Sequence, residues 1–344
     1  MPWYAVEALD DALDATKSLL TPFDARQWLK LAVVVFFLGG TGGGGPFTSG
    51  GGGGGGSTDV SGDAPELTFG PGSEFDVPSA LGDVLPVILG VVAIALLVGL
   101  LYVLIGTVME FVFVETLRRQ HVRIRDYASQ HLGRAVQLFA FRVALGLLVV
   151  VPAIALVAGI VGLATGALEI SVVLLVLLIP LVAVVGFLVA LLDAFTVNFV
   201  VPVMILKDTG VLAGWRRFWP TLTEEWKQYG VYALVRVVLA FAAGLVATVA
   251  GGIIGALLVA PLAIVGIVAV PAFGGFGAIL SNPAALAVAG LLALSYVVVL
   301  TAALAVVFVP IQTYLRYHSL VVLGDTNSEF DLIPDLRREI RESE

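Results

Sequence analysis

The chain has 344 residues, of which 59% are hydrophobic and 13% charged, with a mean hydropathy of +1.03. A soluble domain carries about a quarter charged residues, so a water-soluble fold is excluded. The formal net charge is −8 and there is no cysteine, which removes disulfides, thiolate metal sites and cysteine nucleophiles.

The cations are distributed by a single rule. All 18 Lys and Arg residues fall within 1–30, 115–142, 206–236 and 316–344, and the connections 41–82, 163–170 and 259–285 contain none. Basic loops on one side of alternating apolar stretches orient a multispanning membrane protein with that side in the cytoplasm. The expected fold is therefore all-α: a polytopic integral membrane protein with six transmembrane helices, forming a single membrane domain over 1–344. Both termini are expected inside.

The opening, Met1-Pro2-Trp3-Tyr4-Ala5-Val6-Glu7, has neither the basic region nor the early apolar run of a cleavable leader. Residues 1–27 are expected to form an inner amphipathic segment. Along Tyr4–Leu20, Ala5, Leu9, Ala12, Leu13 and Leu20 share one face, and Glu7, Asp10, Asp14 and Lys17 the other. The first span, Trp28–Gly40, is short. Residues 41–82 then read as a Gly-rich flexible outer loop. Its G-x-G-x-x-G match at Gly40, Gly42 and Gly45 falls in a low-complexity tract with no preceding strand, so no nucleotide site is expected.

The second span is Val84–Val114, the third Phe139–Gly162 and the fourth Ser171–Leu206. About 30–35 helical residues span about 45–53 Å, against a hydrocarbon core of about 30 Å. The second and fourth spans must therefore tilt, break or project, with Pro180 and Pro202 as break points. The fifth span is Tyr229–Val259 and the sixth Ala285–Ile311. Between them, Pro261–Pro283 is apolar but interrupted by proline and glycine. It reads as a partly re-entrant outer segment, because a seventh crossing would put the basic tail outside. Residues 312–344 form a cytoplasmic tail of mixed charge.

The inner ends of the spans repeat. Outgoing helices open with a cation among apolar residues at Lys30, Arg142 and Arg236, and returning ones close at Phe111–Val114, Phe199–Pro202 and Val307–Pro310. Three two-helix units sharing one orientation would give this pattern. The acidic, Lys-poor composition (4 Lys against 14 Arg) suits a high-salt cytoplasm, although a GC-rich genome also exchanges Lys for Arg.

The stretch Val201-Pro202-Val203-Met204-Ile205-Leu206-Lys207-Asp208-Thr209-Gly210, followed by Trp215-Arg216-Arg217-Phe218-Trp219, resembles the membrane domain fused to some glycerophosphodiester phosphodiesterases. There a returning helix ends at a proline, an acidic-glycine turn follows, and an amphipathic helix carries tryptophan and basic residues. The tail Tyr314-Leu315-Arg316-Tyr317-His318 with Asp331-Leu332-Ile333-Pro334-Asp335 is similar to that group's ending. With the opening residues and the glycine-rich loop, the whole chain looks most like uncharacterised haloarchaeal multispanning membrane proteins. The phosphodiesterase catalytic domain has no counterpart, so the resemblance implies no enzymatic role.

Few residues carry chemistry. His121, His131 and His318 have no metal-ligand spacing, and there is neither a Walker lysine nor a nucleophile elbow. No enzyme, cofactor or metal site is expected, and no nucleic-acid partner. Ionisable residues inside apolar spans are costly unless paired or hydrated. They are Glu110, Arg142, Asp193 and Arg236, with Asn198 as a neutral partner. They form either inter-helix ion pairs, Glu110 or Asp193 with Arg142 or Arg236, or a polar cavity. Arg118, Arg119, Trp215, Arg216, Arg217 and Trp219 are candidate contacts to lipid headgroups. The expected function is a non-catalytic membrane module that organises lipid or a membrane-protein partner at the inner face. The alternative is a transporter or channel with a polar cavity between helix pairs.

Overall fold

The computed structural model describes residues 3–39, 77–164 and 172–342. The Gly-rich stretch expected over 41–82 therefore lies outside the described residues as far as residue 76. Among the described residues the secondary structure is helical, without strands. Five helices are long and apolar enough to cross a membrane.

Helix α1 (Tyr4–Leu20) buries Ala5, Ala8, Ala12, Ala15 and Leu19 along one stripe, so small side chains let it lie close to its neighbour. Helix α2 (Ala25–Leu38) starts at Asp24, whose carboxylate accepts from the Arg26 backbone N–H. Its 14 residues span about 21 Å, less than a bilayer core. Helices α3 (Val77–Arg119) and α4 (Ile124–Ala164) are antiparallel neighbours joined by a short turn in which Gln120 adopts φ 56°. Helix α5 (Val172–Phe195) continues through a π turn (Thr196–Val200) into α6 (Val201–Lys207). Asp208, left-handed at φ 51°, ends it. Helix α7 (Val211–Glu224) is amphipathic and crosses the polar end of the bundle, burying Val211, Gly214, Phe218 and Thr221.

Helix α8 (Trp226–Ala272) has 47 residues and passes through both Pro261 and Pro271. The first half of the expected re-entrant segment is therefore the continuation of α8. It ends where Gly274 and Gly275 take φ of 87° and 102°, values that glycine adopts without a Cβ clash. After the short α9 (Phe276–Ser281), α10 begins at Pro283, capped by the Asn282 side chain, and runs to Thr326. The helix thus continues about four turns past Ile311, where the expected sixth span ends. The fifteen residues beyond Ile311, expected as tail, are polar enough to look solvated. Helix α11 (Pro334–Glu342) folds back on α1.

Helix α2 packs on α3, α4 on α5 and α8 on α10, while α10 also holds α1 and α2. Burial is concentrated at the end of the bundle that carries both termini. There Phe111, Phe113, Leu117, Phe199, Met204, Phe218, Tyr229 and Tyr317 form a closed core. Toward the opposite end, α4 exposes Leu148, Val151 and Ile154, and α8 exposes Ile253, Leu257 and Ile264. Leucine next to leucine gains little over leucine next to lipid, so the apolar halves have no strong reason to close.

Candidate functional site

Four charged side chains meet in this core. Arg142 on α4 donates through Nε to Asp193 Oδ1 of α5 at 2.8 Å and through Nη2 to Oδ2 at 3.4 Å. The same Nη2 lies 3.7 Å from Glu110 Oε1 of α3. Glu110 Oε2 is held by Arg316 Nη2 of α10. The chain Asp193–Arg142–Glu110–Arg316 therefore ties four long helices together, and Glu110, Arg142 and Arg316 are buried.

The π turn provides a further anchor. Val201 donates its N–H to the Thr196 carbonyl five residues back. The next donor in that register would belong to Pro202, which has none. The Val197 carbonyl thus loses its backbone partner, and Arg316 Nη1 donates to it at 2.7 Å. Pro202 acts as the break point expected from sequence, but by widening one turn rather than ending the helix. Pro180 lies inside α5.

The remaining expected members are placed differently. Arg236 Nη1 donates to the Leu315 carbonyl at 2.9 Å, one residue before Arg316. The expected pairing of Arg236 with Glu110 or Asp193 is corrected accordingly: Arg316 occupies the place beside Glu110. Asn198 Nδ2 donates to the Ala194 carbonyl at 2.8 Å, while its Oδ1 is buried without a hydrogen-bond partner.

A second buried carboxylate, Glu115, receives Arg119 Nε, with Arg118 at 3.8 Å and His131 Nε2 at 4.0 Å. Arg118 and Arg119, expected at headgroups, thus reach Glu115 while their side chains stay exposed. Trp215 is also turned inward, with Nε1 donating to Thr196 Oγ1 at 3.0 Å. By contrast, Arg216, Arg217 and Trp219 are exposed on α7 beside Leu212. Among the described residues, neither arginine has a carboxylate within salt-bridge distance.

The C-terminal segment is latched rather than trailing. Arg337 reaches Asp325 at 2.8 Å and Asp331 at 2.7 Å. Arg341 bridges Asp11 at 2.7 Å and Asp325 at 2.9 Å. The hydrogen bonds it donates to Asp325 and Asp11 hold its guanidinium above the usual arginine range. His318 Nε2 lies 2.8 Å from the Ala5 carbonyl and its ring stacks on Tyr232.

Sequence reasoning missed Arg316, Glu115 and the latch. The signal for Arg316 was present: Gln312, Arg316 and Ser319 fall on one helical face, which continues α10 past Ile311. Among the described residues no group of His, Cys, Asp and Glu could hold a metal ion.

One family of unknown function, DUF7544, matches residues 3–333. The chain belongs to this family. No curated protein and no solved structure matches it. The chain thus combines membership in DUF7544 with helices apolar enough to span a membrane.

Proposed function

We propose that this DUF7544 protein is a non-catalytic, six-span integral membrane protein that organises anionic lipid at the inner face of a cell membrane. Its termini lie in the cytoplasm, and its spans form three two-helix units, α2–α3, α4–α5 and α8–α10. One observation carries the reading. The outward face of α7 presents Arg216 and Arg217 without carboxylate partners, between exposed Leu212 and Trp219. Cations beside an interfacial indole suit an anionic headgroup layer. A transporter would need the intramembrane charges to line a hydrated passage. Here Asp193, Arg142, Glu110 and Arg316 face one another instead, which favours a structural role for them.

The test compares nanodiscs containing brominated phosphatidylglycerol with nanodiscs containing brominated phosphatidylcholine at equal mole fraction. Brominated phosphatidylglycerol should quench tryptophan emission more strongly, and R216Q/R217Q should abolish the difference. Raising salt from about 0.1 M to 1 M shortens the screening length from about 10 Å to 3 Å and should shrink the preference. Equal quenching by both lipids in the wild type would refute the reading.

A further inference from the structure

Helices α5 and α8 are antiparallel but stand apart, leaving a groove of about 520 Å³ between them. That lies within the about 300–1,000 Å³ of small-molecule sites. Its walls toward the apolar end are Phe187, Ala190, Leu191, Val237 and Ala240. Its polar end is lined by Asn198, Tyr232 and Arg236, and no carboxylate lines it. An apolar slot with Arg236 and Asn198 at its polar end suits a lipid in polarity, with the chain along the helices and the headgroup at the charged end of the bundle.

Charge and hydrogen bonding define the headgroup. Beside the network in which Glu110 and Asp193 face Arg142 and Arg316, Arg236, whose Nη1 also donates to the Leu315 carbonyl, brings a further cation to the polar end of the slot. Asn198, buried to 3% exposure, presents Oδ1 as an acceptor with no hydrogen-bond partner. A buried polar atom left unpaired is costly, so an incoming hydroxyl donor would be favoured there. An anion bearing hydroxyl groups meets both conditions. The position is set by the π turn, which places Asn198 on the polar lining of the slot and anchors it through Ala194.

We infer that the α5–α8 groove holds one anionic phospholipid, its phosphate at Arg236 and a headgroup hydroxyl at Asn198 Oδ1. This deepens the proposed organisation of lipid but uses a different surface from α7. The two readings can therefore fail separately.

The test is native mass spectrometry of the full chain, delipidated in detergent and titrated with phosphatidylglycerol or with phosphatidylcholine of the same acyl chains. The wild type should bind one phosphatidylglycerol at least tenfold more tightly than phosphatidylcholine. Free glycerol phosphate should not displace it, because the groove walls contribute through the chain. R236Q should reduce binding at least tenfold. Because Arg236 also bonds Leu315, A190W and A240W provide fold-neutral blocks: both residues are exposed on the groove walls, and each indole should reduce binding comparably with melting unchanged. R216Q/R217Q should bind this lipid as the wild type does. Equal affinity for the two lipids, displacement by glycerol phosphate, or wild-type binding by A190W and A240W would overturn the inference. So would a dimer that dissociates in A190W, since a second copy would then occupy the groove.

Discussion

Removing Arg316 tests the charge chain at its most buried link. Arg316→Gln takes from Glu110 the partner of Oε2 and leaves only Arg142 Nη2, 3.7 Å from Oε1. It also takes the donor from the Val197 carbonyl, which the π turn and Pro202 have already deprived of a backbone partner. Breaking one side of a buried pair costs about 3–5 kcal/mol, and the orphaned carbonyl alone about 1–3 kcal/mol. Glu110→Gln should cost a similar amount, because Arg316 and Arg142 then face each other without a carboxylate between them. The double variant E110Q/R316Q removes the uncompensated charge. It should therefore recover a coupling energy of about 2–3 kcal/mol relative to the sum of the singles. Reversible unfolding in mixed detergent micelles, followed by far-ultraviolet circular dichroism, measures each term. Strict additivity of the two singles would refute direct pairing. Loss of less than about 1 kcal/mol in either single, the range of exposed pairs, would mean that water reaches the cluster.

Single cysteines at Ser61, Thr165 and Ser281 should react with an impermeant maleimide added outside intact cells, and those at Ser129, Thr223 and Ser328 should not. Labelling at Ser328 would contradict cytoplasmic termini, and the absence of native cysteine keeps the readout free of background. Gly214→Ala should destabilise by about 1–3 kcal/mol, because a Cβ there would lie 2.8 Å from Val200 Cγ1 and 3.1 Å from Met204 Cγ; melting in detergent measures it. In the latch, Arg341 is the more exposed cation, so Arg341→Gln should cost at most about 1 kcal/mol. Arg337→Gln, which empties a pocket between Asp325 and Asp331, should release α11 to limited proteolysis.

The sequence made the spans legible because hydrocarbon and water sort residues by composition over about 20 positions. Five long helices appear where apolar runs between basic segments placed them. It also exposed Glu110, Arg142 and Asp193, since a charge inside an apolar run is conspicuous wherever it folds. Helix ends were less legible. Arg316 looked like part of a tail because its neighbours Gln312, Thr313, Tyr317 and His318 are polar, and only contact with α3 and the π turn reveals them as core. Pairing is a property of three-dimensional proximity: nothing in one dimension decides whether Glu110 meets Arg236 or Arg316. Trp215 and Trp219 carry the same residue type four positions apart, yet one bonds Thr196 inside the bundle while the other is exposed.

The concentration of order at one end has a physical cause that connects the ion pairs to the groove. Within hydrocarbon, apolar helices gain little by leaving lipid for one another, so a unique arrangement must be fixed elsewhere. At the polar end, burial of aromatic residues, the ion-pair chain and the latch supply direction as well as energy. Helices fixed by their neighbours at one end need not close on each other, and α5 and α8, on either side of the π turn and α7, leave a groove between them. The same π turn gives Arg316 its acceptor and sets Asn198 on the polar lining of the slot. Pro202→Ala would return a backbone donor to this segment, one that competes with Arg316 for the Val197 carbonyl and shifts the turn that positions Asn198. It should then weaken both the Arg316 anchor and lipid retention, whereas a groove block such as A190W should weaken lipid retention alone.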